Sequence, residues 1–150
     1  EYAARGGLDD KAYAWGDTFT PGGKAMANTW QGPFPVSNTV EDAFAGTSPV
    51  GCFPANGWGL YDMAGNVWQW TTSWYRPGHP DTPQRNPAGP AERDSLDPGQ
   101  PGVKARVVKG GSHLCAPNYC MRYRPAARQP REPGMGTSHL GFRTVLNQTP

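Results

Sequence analysis

Apolar residues fall in few and short runs along this chain. Val67, Gln69 and Thr71 alternate with Trp68, Trp70 and Thr72. That period of two predicts a strand with both tryptophans on one face. Arg106-Val107-Val108-Lys109 leads into Gly110-Gly111-Ser112 and predicts a second short strand ending in a glycine turn, and Leu140 to Val145 predicts a closing strand. Glu1-Tyr2-Ala3-Ala4 reads as the last turn of a helix stopped by Gly6-Gly7, since glycine tolerates positive φ, and the start of that helix is expected ahead of Glu1. Between residues 14 and 59, aromatic residues are separated by turn formers such as Gly16-Asp17, Pro21-Gly22-Gly23, Gln31-Gly32-Pro33 and Asn56-Gly57, leaving room only for short extended pieces. Residues 76–104 hold seven prolines and four glycines with hardly any large apolar side chain, the pattern of a surface excursion. Neither an internal repeat nor a long helix is present in the pattern.

Composition explains the short elements. Of 150 residues, 20 are Gly and 17 Pro. Proline removes a backbone donor and glycine raises the entropy lost on ordering, so both cut helices and strands short. Six Trp, six Tyr and five Phe, with only 17% charged residues, are the reverse of a disordered composition. The expectation is one folded, loop-rich domain of ordinary size.

No run of 18 apolar residues occurs, so no membrane partner is expected. The first residues lack the charged and apolar regions of a secretory signal and also an initiator Met, which suggests a piece of a longer product. Residues 1–105 carry seven Lys or Arg against eleven Asp or Glu, while 106–143 carry seven basic residues against Glu132 alone. Interleaved with Tyr119, Tyr123 and Phe142, the arginines 106, 122, 124, 128 and 143 match a nucleic-acid patch. The near-neutral whole favours the other reading, in which they pair with acids of the first two thirds and no nucleic acid binds.

Cys115 and Cys120 enclose Ala-Pro-Asn-Tyr, a loop tight enough for the sulfurs to converge. Four uses are open. A disulfide is possible, with little entropic gain from so short a loop. A redox pair is possible beside Arg122 and Arg124, which lower a thiol pKa. Zinc needs two more ligands, and His113 and His139 do not fall at a usual zinc spacing. Cu(I) accepts two thiolates alone. The odd cysteine, Cys52, reads as a buried thiol, and the count of three favours a reducing compartment. A second, oxygen-rich chemistry is offered by Asn28 and Asp42, and by Asp62, Gln69 and the carbonyls of the Gly65 turn, either as hard-cation ligands or as turn formers. His79, in the proline-rich excursion, is expected to face solvent.

Four blocks in order resemble a known family. Gly57 to Trp70, Val108-Lys109-Gly110-Gly111-Ser112, Arg122-Tyr123-Arg124 with Ala126-Ala127-Arg128, and Leu140-Gly141-Phe142-Arg143 follow the signature of the sulfatase-modifying-factor superfamily. Ser112-His113-Leu114-Cys115 with Asn118-Tyr119-Cys120 is similar to the active-site segment of its formylglycine-generating branch. The resemblance implies an α+β, C-type-lectin-like fold with little regular structure. It also implies a single domain over 1–150 that is the C-terminal part of a longer one.

The same resemblance implies a copper-dependent oxidase. Cys115 and Cys120 would bind Cu(I), with O2 as co-substrate. The partner would be an unfolded or nascent sulfatase whose cysteine, in a Cys-x-Pro-x-Arg motif, becomes Cα-formylglycine. Ser112, Tyr119 and Trp68 match the branch's pocket residues, Trp68 also being suited to plain core packing. Structural Ca2+ is implied at Asn28, Thr29, Asp42 and Phe44, and more weakly at Asp62, Gly65, Val67 and Gln69, where Gln69 replaces a frequent Glu. Pro125 and Thr144 stand where secreted animal members carry disulfide cysteines, which implies a bacterial, cytoplasmic form. The alternatives are a catalytically silent lectin-like module and a non-haem iron, sulfur-oxidising relative, the latter poorly served by three histidines.

Overall fold

The computed structural model describes residues 1–82 and 84–146. The chain opens with a single helical turn, α1 (Tyr2–Arg5), ended by Gly6 in the left-handed region at φ 58°. Four strands follow: β1 (Trp68–Trp74), β2 (Arg106–Lys109), β3 (Gln129–Arg131) and β4 (Leu140–Gly141). They form one sheet in the order β3-β2-β1-β4. β1 is antiparallel to β2, with Trp70 opposite Val108, and parallel to β4, with Trp68 opposite Leu140.

Single turns of 3-10 helix at Pro21–Gly23 and Glu92–Asp94 complete the regular structure of the described residues. No helix there is long and apolar enough to cross a membrane. The expected α+β, loop-rich architecture is therefore observed.

Two differences have clear causes. β3 pairs Pro130 with Val107. A proline argues against a strand in sequence, yet it is tolerated here because β3 is a sheet edge, where no neighbour needs its missing N–H. The closing strand is two residues long rather than six, since only Leu140 and Gly141 find a partner in β1.

The core gathers where β1 and β2 face the loops. Ala27, Ala64, Trp68, Val108, Cys115, Cys120 and Tyr123 form one buried cluster, and Tyr13, Trp15, Phe19, Trp70 and Leu140 pack on it. Trp68 and Trp70 thus share a face as the alternation predicts. Tyr123 lies between Phe19, stacked at 4.9 Å, and Tyr13 at 6.1 Å.

The arginines of the last third do not pair with acids. Among the described residues the ion pairs are Arg5 and Lys109 with Glu1, Lys11 with Asp17, and Arg93 with Asp94. Arg128 instead donates to the carbonyls of Arg76 (2.8 Å) and Gly78 (2.9 Å), and Arg106 to that of Thr72. The cause lies in the irregular backbone, whose carbonyls outside the short strands need donors, and a guanidinium has five to offer them. Arg106 also lies over the Trp74 ring at 4.1 Å and Arg128 over Tyr75 at 5.0 Å. Cys52 is exposed, in a surface turn after Gly51, rather than buried. His79 faces solvent as expected.

Candidate active site and oxygen clusters

The thiol loop is built from the exit of β2. Gly110 and Gly111 take φ of 93° and 69°. A Cβ on Gly111 would stand 2.8 Å from the Tyr123 nitrogen, so glycine is needed there for the chain to return so closely on itself. Ser112, fully buried, accepts the Cys115 N–H through its carbonyl at 2.9 Å and the Leu114 N–H through Oγ at 3.3 Å. The Ala116 carbonyl then accepts from both Tyr119 (3.1 Å) and Cys120 (2.8 Å). This turn draws the Cα atoms of Cys115 and Cys120 to 4.7 Å, and the sulfurs are joined as a disulfide. Both cysteines are buried beside Trp68. Arg122 Nη1 approaches Cys120 Sγ at 3.9 Å. With its carboxamide oxygen facing the guanidinium, Gln129 on β3 holds Arg122 in place at 2.7 and 3.0 Å.

Tyr119 differs from its buried neighbours. It is 67% exposed and stacks on Phe34 at 4.5 Å, with Trp30 edge-on to Phe34 at 5.0 Å. Asn118 ties this platform to the thiol loop, accepting the Phe34 N–H at 3.3 Å and donating to its carbonyl at 3.4 Å. Sequence reasoning named Asn118 in the active-site segment but missed its partners Trp30 and Phe34, because residues 84 positions apart leave no local spacing to read.

The first oxygen cluster is assembled around Asp42. Its Oδ2 accepts from Thr29 N (3.1 Å) and Gln31 Nε2 (2.8 Å), and its Oδ1 from Phe44 N (3.0 Å). Gln31 Nε2 also reaches the Thr29 carbonyl. Asn28, next in chain to Thr29 and 1% exposed, donates through Nδ2 to the Gly46 carbonyl at 2.8 Å, while its Oδ1 is buried with no hydrogen-bond partner. Asn28, Thr29, Asp42 and Phe44 are thus brought together, with one acceptor left unmet.

The second set, Asp62, Gly65, Val67 and Gln69, lies across the start of β1. Gly65, at φ 74°, donates to the Gly110 carbonyl at 2.8 Å, and a Cβ there would collide with the Asn28 carbonyl. Val67 packs on Gly141. Gln69 Nε2 donates to the Asp62 carbonyl at 2.6 Å, and Asp62 Oδ2 accepts from Gly51 N at 2.7 Å. Among the described residues no three His, Cys, Asp or Glu side chains gather as a metal site, so any cation would have at most two such side chains, as at Asp42, Asp62 or the thiol pair, and would take its other ligands from amide and backbone oxygens.

Residues 1–148 match the sulfatase-modifying factor enzyme 1-like domain. The chain is 54% identical over 149 residues to a formylglycine-generating enzyme of Mycobacterium tuberculosis, covering 98% of this chain and 48% of that protein. A mouse formylglycine-generating enzyme is 47% identical over the whole chain, 38% of its own length, and a mouse protein called inactive Cα-formylglycine-generating enzyme 2 is 39% identical over 95% of the chain and 39% of its own length. In structure, Treponema denticola variable protein 1 superposes with a TM-score of 0.66 at 29% identity, over 94% of this chain and 42% of that one. The chain spans about half the length of the bacterial relative, and on the extent of these matches it belongs to the sulfatase-modifying factor enzyme 1-like domain family.

Proposed function

We propose that this chain is the cysteine-bearing part of an enzyme that converts a peptidyl cysteine of a sulfatase, in a Cys-x-Pro-x-Arg context, to Cα-formylglycine. The observation that carries the reading is the buried Cys115–Cys120 pair, set in a loop between Trp68 and an exposed aromatic platform, in a chain of this family. Two thiols with no third His, Cys, Asp or Glu gathered on them among the described residues suit a soft monovalent ion, which a two-thiolate site can hold. Once reduced, Cys115 and Cys120 would hold Cu(I), which supplies a soft centre for the substrate thiolate and for dioxygen chemistry.

The chain's own residues do the remaining work. Trp68 closes the inner wall and excludes water from the sulfurs. The buried Ser112 hydroxyl accepts the Leu114 N–H, and among the described residues its hydrogen has no acceptor, so it would donate to a reacting oxygen or sulfur brought to the thiol loop. Tyr119, stacked on Phe34 and exposed, presents its ring to solvent beside the thiol loop, where an extended peptide with its proline would lie. The substrate carbon loses its sulfur as sulfide and gains a carbonyl oxygen. Dioxygen takes up more electrons than that change releases, so a thiol reductant supplies the rest.

Calcium suits the Asn28, Thr29, Asp42 and Phe44 cluster, because it would meet the unsatisfied Asn28 Oδ1, with the Asp42 carboxylate held beside Thr29 and Phe44 by their N–H groups. Its role is to tie loops together where regular hydrogen bonding is sparse.

The test is to reduce the protein, load Cu(I), and follow a Cys-x-Pro-x-Arg peptide under air by mass. Aldehyde product from wild type, lost in Cys115→Ala and Cys120→Ala, is expected. Undiminished product from either variant overturns the reading. The disulfide itself favours a second reading, a catalytically silent module, and a reduced, copper-loaded protein that yields no product would establish it.

A further inference from the structure

The oxygens around Asp62 that resemblance assigns to a second calcium are already served by a cation of the chain. Arg143, two residues beyond β4, donates through Nε to Gln69 Oε1 at 2.5 Å. Through Nη2 it donates to the carbonyls of Tyr61 (2.9 Å) and Asp62 (3.2 Å). The other arm of Gln69 is a donor, and it points at the same Asp62 carbonyl. The carboxylate of Asp62 is engaged by the Gly51 N–H. A calcium ion needs six to eight oxygens with carboxylates among them. Here it would meet, beyond the kind of N–H groups that also serve the Asp42 carboxylate, a guanidinium of like sign bonded to Gln69 Oε1 and the Asp62 carbonyl.

Access does not explain the difference. A solvent-open cleft of about 390 Å3, lined by Val50, Tyr61, Asp62, Gln69, Phe142 and Arg143, leads to these atoms. The residues therefore do not fit a divalent ion. We propose that Arg143 is the built-in cation of this site, and that Gln69 in place of a glutamate adapts it to the guanidinium, so that no calcium binds at Asp62. The chain then takes one calcium, at the Asn28 and Asp42 cluster, and the loop at 61–62 is fastened to the sheet by a permanent side chain.

Bound calcium per chain, measured by equilibrium dialysis and atomic emission, tests this without any assay of catalysis. Wild type is expected to hold one equivalent and Asp62→Asn still one. A Gln69→Glu/Arg143→Met double variant, which restores a carboxylate and removes the guanidinium, is expected to hold two. A second equivalent in wild type that Asp62→Asn removes overturns the proposal. So does a double variant that keeps the wild-type circular dichroism and still holds one equivalent, since the guanidinium would then not be what excludes the metal. Wild type with no calcium would refute the Asn28 and Asp42 site and leave the assignment of Arg143 standing, so the two failures are distinguishable.

Discussion

Replacing Asn66 with alanine removes more from this fold than a surface-sized side chain suggests. Asn66 is buried and left-handed, at φ 58°. Its Oδ1 accepts from Ser48 N at 3.0 Å and Asn28 Nδ2 at 3.4 Å, and its Nδ2 donates to the Ser48 carbonyl at 3.0 Å. Alanine leaves the buried N–H and C=O of Ser48 without partners, at about 1–3 kcal/mol each. A Cβ without a compensating side chain at positive φ adds about 1 kcal/mol. The expected loss is roughly 3–7 kcal/mol, a large share of the ~5–15 kcal/mol that domains ordinarily possess. Asn66→Gly suffers the same hydrogen-bond loss without the strain, so it should be about 1 kcal/mol less damaging. Urea titration followed by tryptophan fluorescence measures both. An alanine variant within about 0.5 kcal/mol of wild type, or one more stable than the glycine variant, would refute the argument, the former because the Ser48 groups would then not be buried orphans.

Other consequences can be checked as directly. The Tyr123 hydroxyl is buried with no partner, so Tyr123→Phe should keep or raise the melting temperature, and a clear fall counts against that assignment. Burial, with Tyr13 beside it, pushes the Tyr123 pKa from 10.0 up to about 12. The unfolded chain releases this proton first, so wild type should lose stability as pH rises from 10 toward 12, a loss the Phe variant lacks. A thiol reagent should find one reactive group per native chain, the exposed Cys52, and three after reduction and unfolding. Arg128→Gln frees the carbonyls of Arg76 and Gly78, so trypsin should nick the 76–104 segment several times faster with little change in melting temperature.

The parts of the fold that could be read in advance are those whose cause is local. Alternation placed β1, the valine pair placed β2, and Gly6-Gly7 ended α1 at Arg5. β3 was hidden because Pro130 is acceptable only at an edge, and nothing near residue 130 says that it will be one. The thiol loop was legible as six residues in a row, whereas its aromatic platform depends on Phe34 arriving from 84 residues away. The arginines misled for a related reason. Charge counting looks for acids, but Arg128 and Arg143 recognise backbone carbonyls 50 to 82 residues off, which have no residue type of their own.

The proline-rich excursion leaves the sheet and returns to it at almost one point. Tyr75 donates to the Ala105 carbonyl at 2.8 Å and accepts from Leu96 at 2.9 Å, so the ends are closed whatever lies between them. Among the described residues, hydrogen bonds from 76–104 reach Tyr75, Ala105 and Arg128, and none reaches residues 112–123. Length here is decoupled from chemistry. Evolution can lengthen or shorten the segment at a closure cost that grows only slowly with chain length, and an engineer can do the same. A fluorophore tag or a capture peptide inserted between His79 and Asp81 would report on this protein, or immobilise it, without touching the thiol loop.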